Sequence, residues 1–469
     1  MLKKRSWLFS SKLISIFLLA VFLSTSGFSG CKLLSQAEQE RIKPITLNYW
    51  RVADDTDAFS EIIADYQSQH PNITINYRKF RLEEYEKELL NALAEDRGPD
   101  IFSIPQSWLT AYQSKLEPMP AEIQMAYQYE KGTIQKQTVV ELRTKKSPTL
   151  REIKEKYVDT VFNDVVIDGQ VFGFPLSLET LIMIYNKDIL NQSGISQIPT
   201  SWTDEFQGAV AKTTRYETET KVIQSGTALG TGYNVDRSFD ILSILMIQNG
   251  ATMLSGTKPT MFNRITKEGV RGSVNPGLEA LQFYTDFARP SKDVFSWDAL
   301  MPSSFEAFLN GKVGFFFGYN YHIPQIRSRS RVNFGLAPIP QIPNNPIRNY
   351  ANYSVEVVSK KSAYMTEAWD FVLFMNQPDE IKKFLAKTRR PTAQRALIST
   401  QLEDEDLYPS VSQALTAVTW YKGYDIASAE KAFKDMIEQY LVLTDENKIN
   451  DILNVANSKI SQTLIKPQQ

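Results

Sequence analysis

Between residues 45 and 104 the spacing of apolar positions switches repeatedly between two periods. Residues 45–50 (ITLNYW) and 73–80 (ITINYRKF) alternate with period two, as strands with one buried face do. Residues 59–69 instead place Phe59, Ile62, Ile63 and Tyr66 at helical spacing. A second amphipathic helix covers 83–94, Gly98-Pro99-Asp100 breaks it, and 101–104 make a short buried strand. This strand–helix–strand–helix–strand order predicts a parallel α/β sheet.

Residues 122–159 are polar, charged and without a strong apolar face, and read as a helical surface insertion. Asp168-Gly169 is a hairpin turn between 165–167 and 171–173. Strand pattern returns at 181–185, 313–317 and 353–358, and helical pattern at 187–192, 199–214, 239–250, 276–288 and 304–310. Pro338, Pro340, Pro343 and Pro346 mark a stiff connector. Helices at 366–375, 382–387, 427–443 and 448–464 finish the chain. A chain of 469 residues exceeds one hydrophobic core, so two α/β lobes with at least two crossings are expected.

The N-terminus has a different pattern. Lys3, Lys4, Arg5 and Lys12 precede an apolar run at 13–23, with no acid among them. That run is too short for a bilayer span of roughly twenty residues, but it has the length of a signal-peptide core. Small residues follow, and then Cys31, the only cysteine. The segment resembles a bacterial lipoprotein signal, which implies lipid on Cys31; a plain secretion signal with a chance cysteine is the alternative. Residues 31–44 would be a lipid-anchored, polar tether.

Composition removes several chemistries. The chain carries 52 Lys+Arg against 53 Asp+Glu, which is no nucleic-acid footprint. One cysteine and two distant histidines, His70 and His322, exclude a His/Cys zinc site and thiol catalysis. A Ser-His-Asp triad would have to use one of those histidines. Gln69-His70-Pro71-Asn72 reads as an exposed turn. No metal or cofactor is expected. Aromatic residues make up 12% of the chain, and they hint at a ligand that stacks.

An ordered set of motifs spans nearly the whole chain beyond the signal. It includes His70-Pro71-Asn72-Ile73, Gly98-Pro99-Asp100-Ile101-Phe102, Asp168-Gly169-Gln170-Val171-Phe172-Gly173-Phe174-Pro175 and Tyr185-Asn186-Lys187-Asp188. Pro199-Thr200-Ser201-Trp202, Gly311-Lys312-Val313-Gly314, Ala368-Trp369-Asp370-Phe371 and Arg389-Arg390-Pro391-Thr392-Ala393 follow in order. This set resembles the sugar-binding group of solute-binding proteins that serve ABC importers. The resemblance implies a two-lobe, periplasmic-binding-protein-like fold with a hinged cleft, ABC permease membrane subunits as partners, and a monomer. Lobe 1 is expected at 45–178 plus 347–400, and lobe 2 at 179–346 plus 401–469.

Ligands of α/β sheets lie beyond the carboxyl ends of strands, so Trp50, Arg51, Asp54 and Asp55 are expected to face the cleft. Gln106 and Trp108 leave the third strand at the same end. A sugar needs hydrogen bonds at its edge and flat rings against its face. By the family resemblance Glu179 is a ligand-binding glutamate, Tyr321 a stacking ring, and Trp420 with Tyr421 a pair presenting a ring to ligand. Tyr319 and Asn320 share that turn with Tyr321. Trp297 is a further candidate platform, and Arg390 a candidate contact. The glycine-rich stretch 226–234 reads as a flexible cleft-edge loop bearing Tyr233 and Asn234, not a phosphate cradle. Trp202 and Trp369 are expected in the core.

The implied function is capture of a sugar or oligosaccharide and delivery to an importer, without catalysis. A surface glycoside hydrolase or lyase, needing two carboxylates across one bond, is the alternative. A receptor of the same fold without transport, and a peptide ligand, also stay open.

Overall fold

Strands 45–52, 73–80 and 101–105 pair as their alternation requires. A computed structural model describes residues 35–467 except 53, 133–136, 257–258, 266 and 270–271. Ile45–Val52 lies at the sheet centre, parallel to Ile73–Phe80 from Ile45↔Ile73 to Val52↔Phe80, and parallel to Ile101–Pro105. Ser354–Val358 closes the edge, antiparallel to Ile101–Pro105. Helices Ser60–Gln69, Leu82–Ala94 and Met365–Met375 pack beside this first sheet. The expected signal peptide and Cys31 lie outside the described residues, and Gln36–Arg41 of the tether is a short helix.

The second sheet has five strands in the order Arg215–Thr218, Lys221–Thr227, Val313–Gly318, Ile182–Asn186 and Phe334–Pro338. Val313–Gly318 is buried along its whole length, which explains its unbroken apolar run. Trp202 is 1% exposed and sits in this lobe's core, while Trp369 is 0% exposed in the other.

A third, three-stranded sheet joins the lobes: Ala417–Val418, Asn349–Asn352 and Glu179–Thr180. Each strand leads from one lobe's elements toward the other's. Adjacent residues face opposite ways there. Tyr350 belongs to the second lobe's core and Ala351 to the first's, with Ala414 and Ala417 also in the first.

Two expectations fail together, for one reason. Residues 122–131 and 137–146 are not helical: Glu122–Lys131 and Gln137–Lys146 form an antiparallel pair of strands with ten residue pairs. Ile123 and Met125 alternate into the core, while Glu, Lys and Gln hold the wet face. Helix begins only at Leu150–Lys156, behind a capping box of Thr149 and Glu152. This strand pair lays Tyr127 against His70, 4.7 Å between ring centroids. His70 is therefore no exposed turn residue; it is 2% exposed, with Nε2 3.5 Å from Asp370.

Candidate functional site

The carboxyl ends of Ile45–Val52 and Ile101–Pro105 open onto a cavity of about 900 Å³ between the lobes. Period-two alternation decides which side chains reach it. Tyr49 and Arg51 share one face of the strand, so Arg51 lines the cavity and Trp50 points the other way. Trp50 instead packs on Phe80, 4.6 Å between centroids, beneath the Arg78 guanidinium. Pro105 ends the third strand, and the following turn presents Trp108, stacked on Tyr112 at 5.5 Å and 9°. Gln106 lies in the same turn without lining the cavity, and its backbone N–H donates to the Tyr353 carbonyl.

Glu179 stands on the joining sheet. Its neighbour Thr180 is held from the opposite side by Ser410 and Gln413, which aims Glu179 into the cavity. From the second lobe, the apolar strand Val313–Gly318 runs into Tyr319-Asn320-Tyr321. Tyr319 turns inward, 0% exposed, and donates to Asp240 at 2.7 Å. Asn320 and Tyr321 line the cavity. His322 is buried, and its Nδ1 accepts from the Tyr319 N–H at 3.0 Å. Burial holds that imidazole neutral, its pKa lowered to about 3. Its neighbours are rings and backbone, not a carboxylate and a serine.

A line of alternating charges forms the floor. Glu356, 0% exposed, accepts from Arg51, from Tyr49 Oη at 2.7 Å and from Ser103 Oγ at 3.1 Å. Arg51 also holds Asp54 at 2.9 Å. Asp54 in turn holds Arg390 at 3.0 Å, and Arg390 reaches Glu179 Oε1 at 3.3 Å. The relay Glu356–Arg51–Asp54–Arg390–Glu179 thus runs from the first lobe's sheet to the joining sheet. Burial pushes the Glu179 carboxyl above its usual range, and Arg390 and the Tyr321 backbone N–H draw it back only in part. Its Oε2 is buried without a hydrogen bond, as is Asn320 Oδ1. Two lining arginines, Arg237 (φ 60°) and Arg389 (φ 54°), sit in the left-handed region that favours glycine.

The remaining candidates are placed elsewhere. Trp297 is 1% exposed and donates to Asn234 Oδ1, while Asn234 binds the Asp298 and Met301 carbonyls. Asn234 is therefore a core clasp. Tyr233 is exposed on the far side of that loop and donates to Asp435. The glycines of 226–234 do not mark a flexible loop. A Cβ on Gly226 would meet the Val210 carbonyl oxygen at 2.4 Å, so close helix–strand approach requires glycine there. Trp420 donates to Ser243 at 2.9 Å and Tyr421 to Thr463 at 2.9 Å, both buried beneath Ile426–Leu441 and Ile449–Thr463. Of the fourteen ligand candidates the cavity thus gathers Asp54, Trp108, Glu179, Asn320, Tyr321 and Arg390. Sequence reading passed over Arg237, Asp406 and Glu430, which also line it, and Glu356 beneath it. Glu356 did carry a signal, as the one acid within Val355–Val358's apolar run.

Among the described residues no group of three or more His, Cys, Asp or Glu is arranged to hold a metal. The arrangement offers ring faces from both lobes and open acceptors between them. It can grip a flat-faced, hydroxyl-rich solute.

The sequence pattern described as "bacterial extracellular solute-binding protein" matches residues 61–406. A protein of Brucella abortus (strain 2308), described only as a binding protein, is 22% identical over 369 residues, 76% of this chain and 77% of its own. The maltodextrin-binding protein MdxE of Bacillus subtilis (strain 168) is 24% identical over 338 residues, 66% of this chain and 72% of its own. Among solved structures, the cyclic α-maltosyl-1,6-maltose binding protein of Arthrobacter globiformis superposes with a TM-score of 0.70 at 19% identity. It covers 90% of this chain and 99% of that one. A cyclo/maltodextrin-binding protein complexed with maltotetraose gives 0.68 at 16% identity, with the same coverages. At such identities the likeness establishes the fold: two α/β lobes about a cleft.

Proposed function

Since this chain belongs to the bacterial extracellular solute-binding proteins and works outside the cytoplasm, we propose that it captures a sugar or oligosaccharide between its lobes. The observation that carries this reading is the wall of the cavity. Trp108 from one lobe and Tyr321 from the other offer ring faces, and Glu179 and Asn320 offer buried acceptors without partners. A sugar has apolar ring faces and outward hydroxyl donors, the complement of that wall. The volume, about 900 Å³, is at the upper end for small-molecule sites and suits several sugar rings. The maltodextrin-binding relatives support the same class of solute.

Closure follows from contacts made by both lobes at once. A solute touching Trp108 and Tyr321 together stabilises the closed arrangement only, and so shifts an open–closed equilibrium. The loaded protein would then hand its solute to the membrane subunits of an ABC importer, tethered nearby by lipid on Cys31. No described helix is long and apolar enough to cross a membrane. Capture without cleavage is favoured by the geometry of Asp54, whose two carboxylate oxygens are each occupied by a guanidinium group of the protein.

Isothermal titration calorimetry against α- and β-linked glucose oligomers of one to four rings tests the reading. Micromolar binding, about 8 kcal/mol, is expected for at least one oligomer. Silence across the series, or steady release of shorter sugars, would refute it.

A further inference from the structure

Carbohydrates come neutral, acidic and basic, and the ion pairs of the cleft bear on which it accepts. Among the described residues six cationic side chains line the cavity, and each is already held by a carboxylate of the protein. Asp54 holds Arg51 at 2.9 Å and Arg390 at 3.0 Å, and Asp240 holds Arg237 at 2.7 Å. Asp406 holds Arg327 at 2.8 Å, Asp57 holds Lys387 at 3.2 Å and Asp404 holds Arg389 at 2.7 Å. A carboxylate or phosphate on the solute would have to share its cation with one of these acids, at the cost of like-charge contact.

The anions do not balance in the same way. Glu179, 3% exposed, gives only Oε1 to Arg390, and Oε2 is left without a partner. Glu430, half-buried on Ile426–Leu441, makes no ion pair or hydrogen bond with the described residues; Arg237 and Lys434 act on it only through space. The other buried lining atom without a partner is Asn320 Oδ1, again an acceptor. Burial pushes the carboxyl groups of both Glu179 and Glu430 upward, as expected of acids that lack a full counter-charge. An ammonium has three donors and no acceptor, and charge-assisted bonds to carboxylates are the strong ones.

We propose that the cleft prefers carbohydrates bearing a basic nitrogen, recognised by Glu430 and the free oxygen of Glu179, and rejects acidic ones. The proposal rests on sugar capture as the function. Like-charge contact with these two glutamates excludes acidic sugars, and no spare cation compensates.

The test uses glucose trimers, α-1,4- and β-1,4-linked, in three forms: neutral, with an amine at every C6, and with a carboxylate at every C6. Calorimetry on the intact chain at pH 7 and physiological salt should give the amine form at least tenfold tighter binding than the neutral form. The carboxylate form should bind at least tenfold more weakly than the neutral one. In Glu430→Gln, checked for folding by its melting curve, the amine-to-neutral affinity ratio should fall at least fivefold. Amine and neutral forms of equal affinity, carboxylate binding as tight as neutral, or an unchanged ratio in the variant would each overturn the proposal. If no trimer binds in any form, sugar capture itself falls, an outcome distinct from equal affinities.

Discussion

Replacing Arg51 with methionine should lower the unfolding free energy by about 3–5 kcal/mol, the cost of stranding a buried charge. Arg51 is 4% exposed and, among the described residues, is the only cation bonded to Glu356, which is 0% exposed in the first lobe's sheet. Without it, Tyr49 and Ser103 still donate to Glu356, but two hydroxyls do not neutralise a carboxylate. Asp54 would keep Arg390 alone. Urea unfolding followed by fluorescence reads the loss directly. Adding Glu356→Gln to the same chain should recover part of it, because the stranded charge is then gone. A single-variant loss under about 1 kcal/mol would mean that water reaches the relay and screens it.

Glu179→Gln should weaken sugar binding by about ten- to a hundredfold, since hydrogen bonds to charged groups contribute about 1.5–3 kcal/mol. The amide keeps the size of the side chain but loses the charge and one acceptor oxygen. The pH dependence has a definite sign. Burial raises the Glu179 carboxyl above its ordinary value, with Asp54 adding to the rise, while Arg390, the Tyr321 N–H and Arg237 oppose it. In the window between the ordinary and raised values, the folded chain holds a proton that the unfolded chain has released. Glu179 therefore favours folding at the acid side of that window, and this contribution fades as pH rises through the raised value. Sugar hydroxyls donate to the ionised form, so affinity should rise with pH across the same window. Titrations at several pH values should show that rise in the natural chain and a shallower one in Glu179→Gln, where Glu430, also pushed upward by burial, is left to titrate in the cleft. A variant that retains full affinity would remove Glu179 from the site.

How much of this was legible in the sequence depended on which signal carried it. Strands 45–52 and 73–80 announce themselves because burial of one face forces alternation, and 313–318 because burial of both faces leaves an unbroken apolar run. The paired strands 122–131 and 137–146 did not, because their buried face is thin: Ile123, Met125 and Tyr127 alternate amid Glu, Gln and Lys, which suggest helix by propensity. That omission hid the cover over His70. At the site, strand direction pointed to loops that line the cavity and carry Asp54 and Trp108, whereas Glu179 came from the family resemblance. Aromatic residues were less informative. Trp297, Trp420 and Tyr421 have the ring a sugar needs, but also the area a core needs, and here the core holds them. Trp50 misled by one position of the pleat. Arg237, in the turn before Ser238–Gln248, and Glu430, on Ile426–Leu441, are distant in sequence, and only folding brings them beside Glu179 and Tyr321.

The central claim is mechanical: solute held between the lobes draws them together. Spin labels at Glu86 and Ala427, in a chain with Cys31→Ser, report the span of the cleft mouth. Both positions are exposed, and Glu86 already feels the charge of Asp425 on the opposite side. A sugar that binds by calorimetry should collapse the label-to-label distances into one shorter, narrower distribution. An unchanged distribution at saturating sugar would contradict closure and the account built on it.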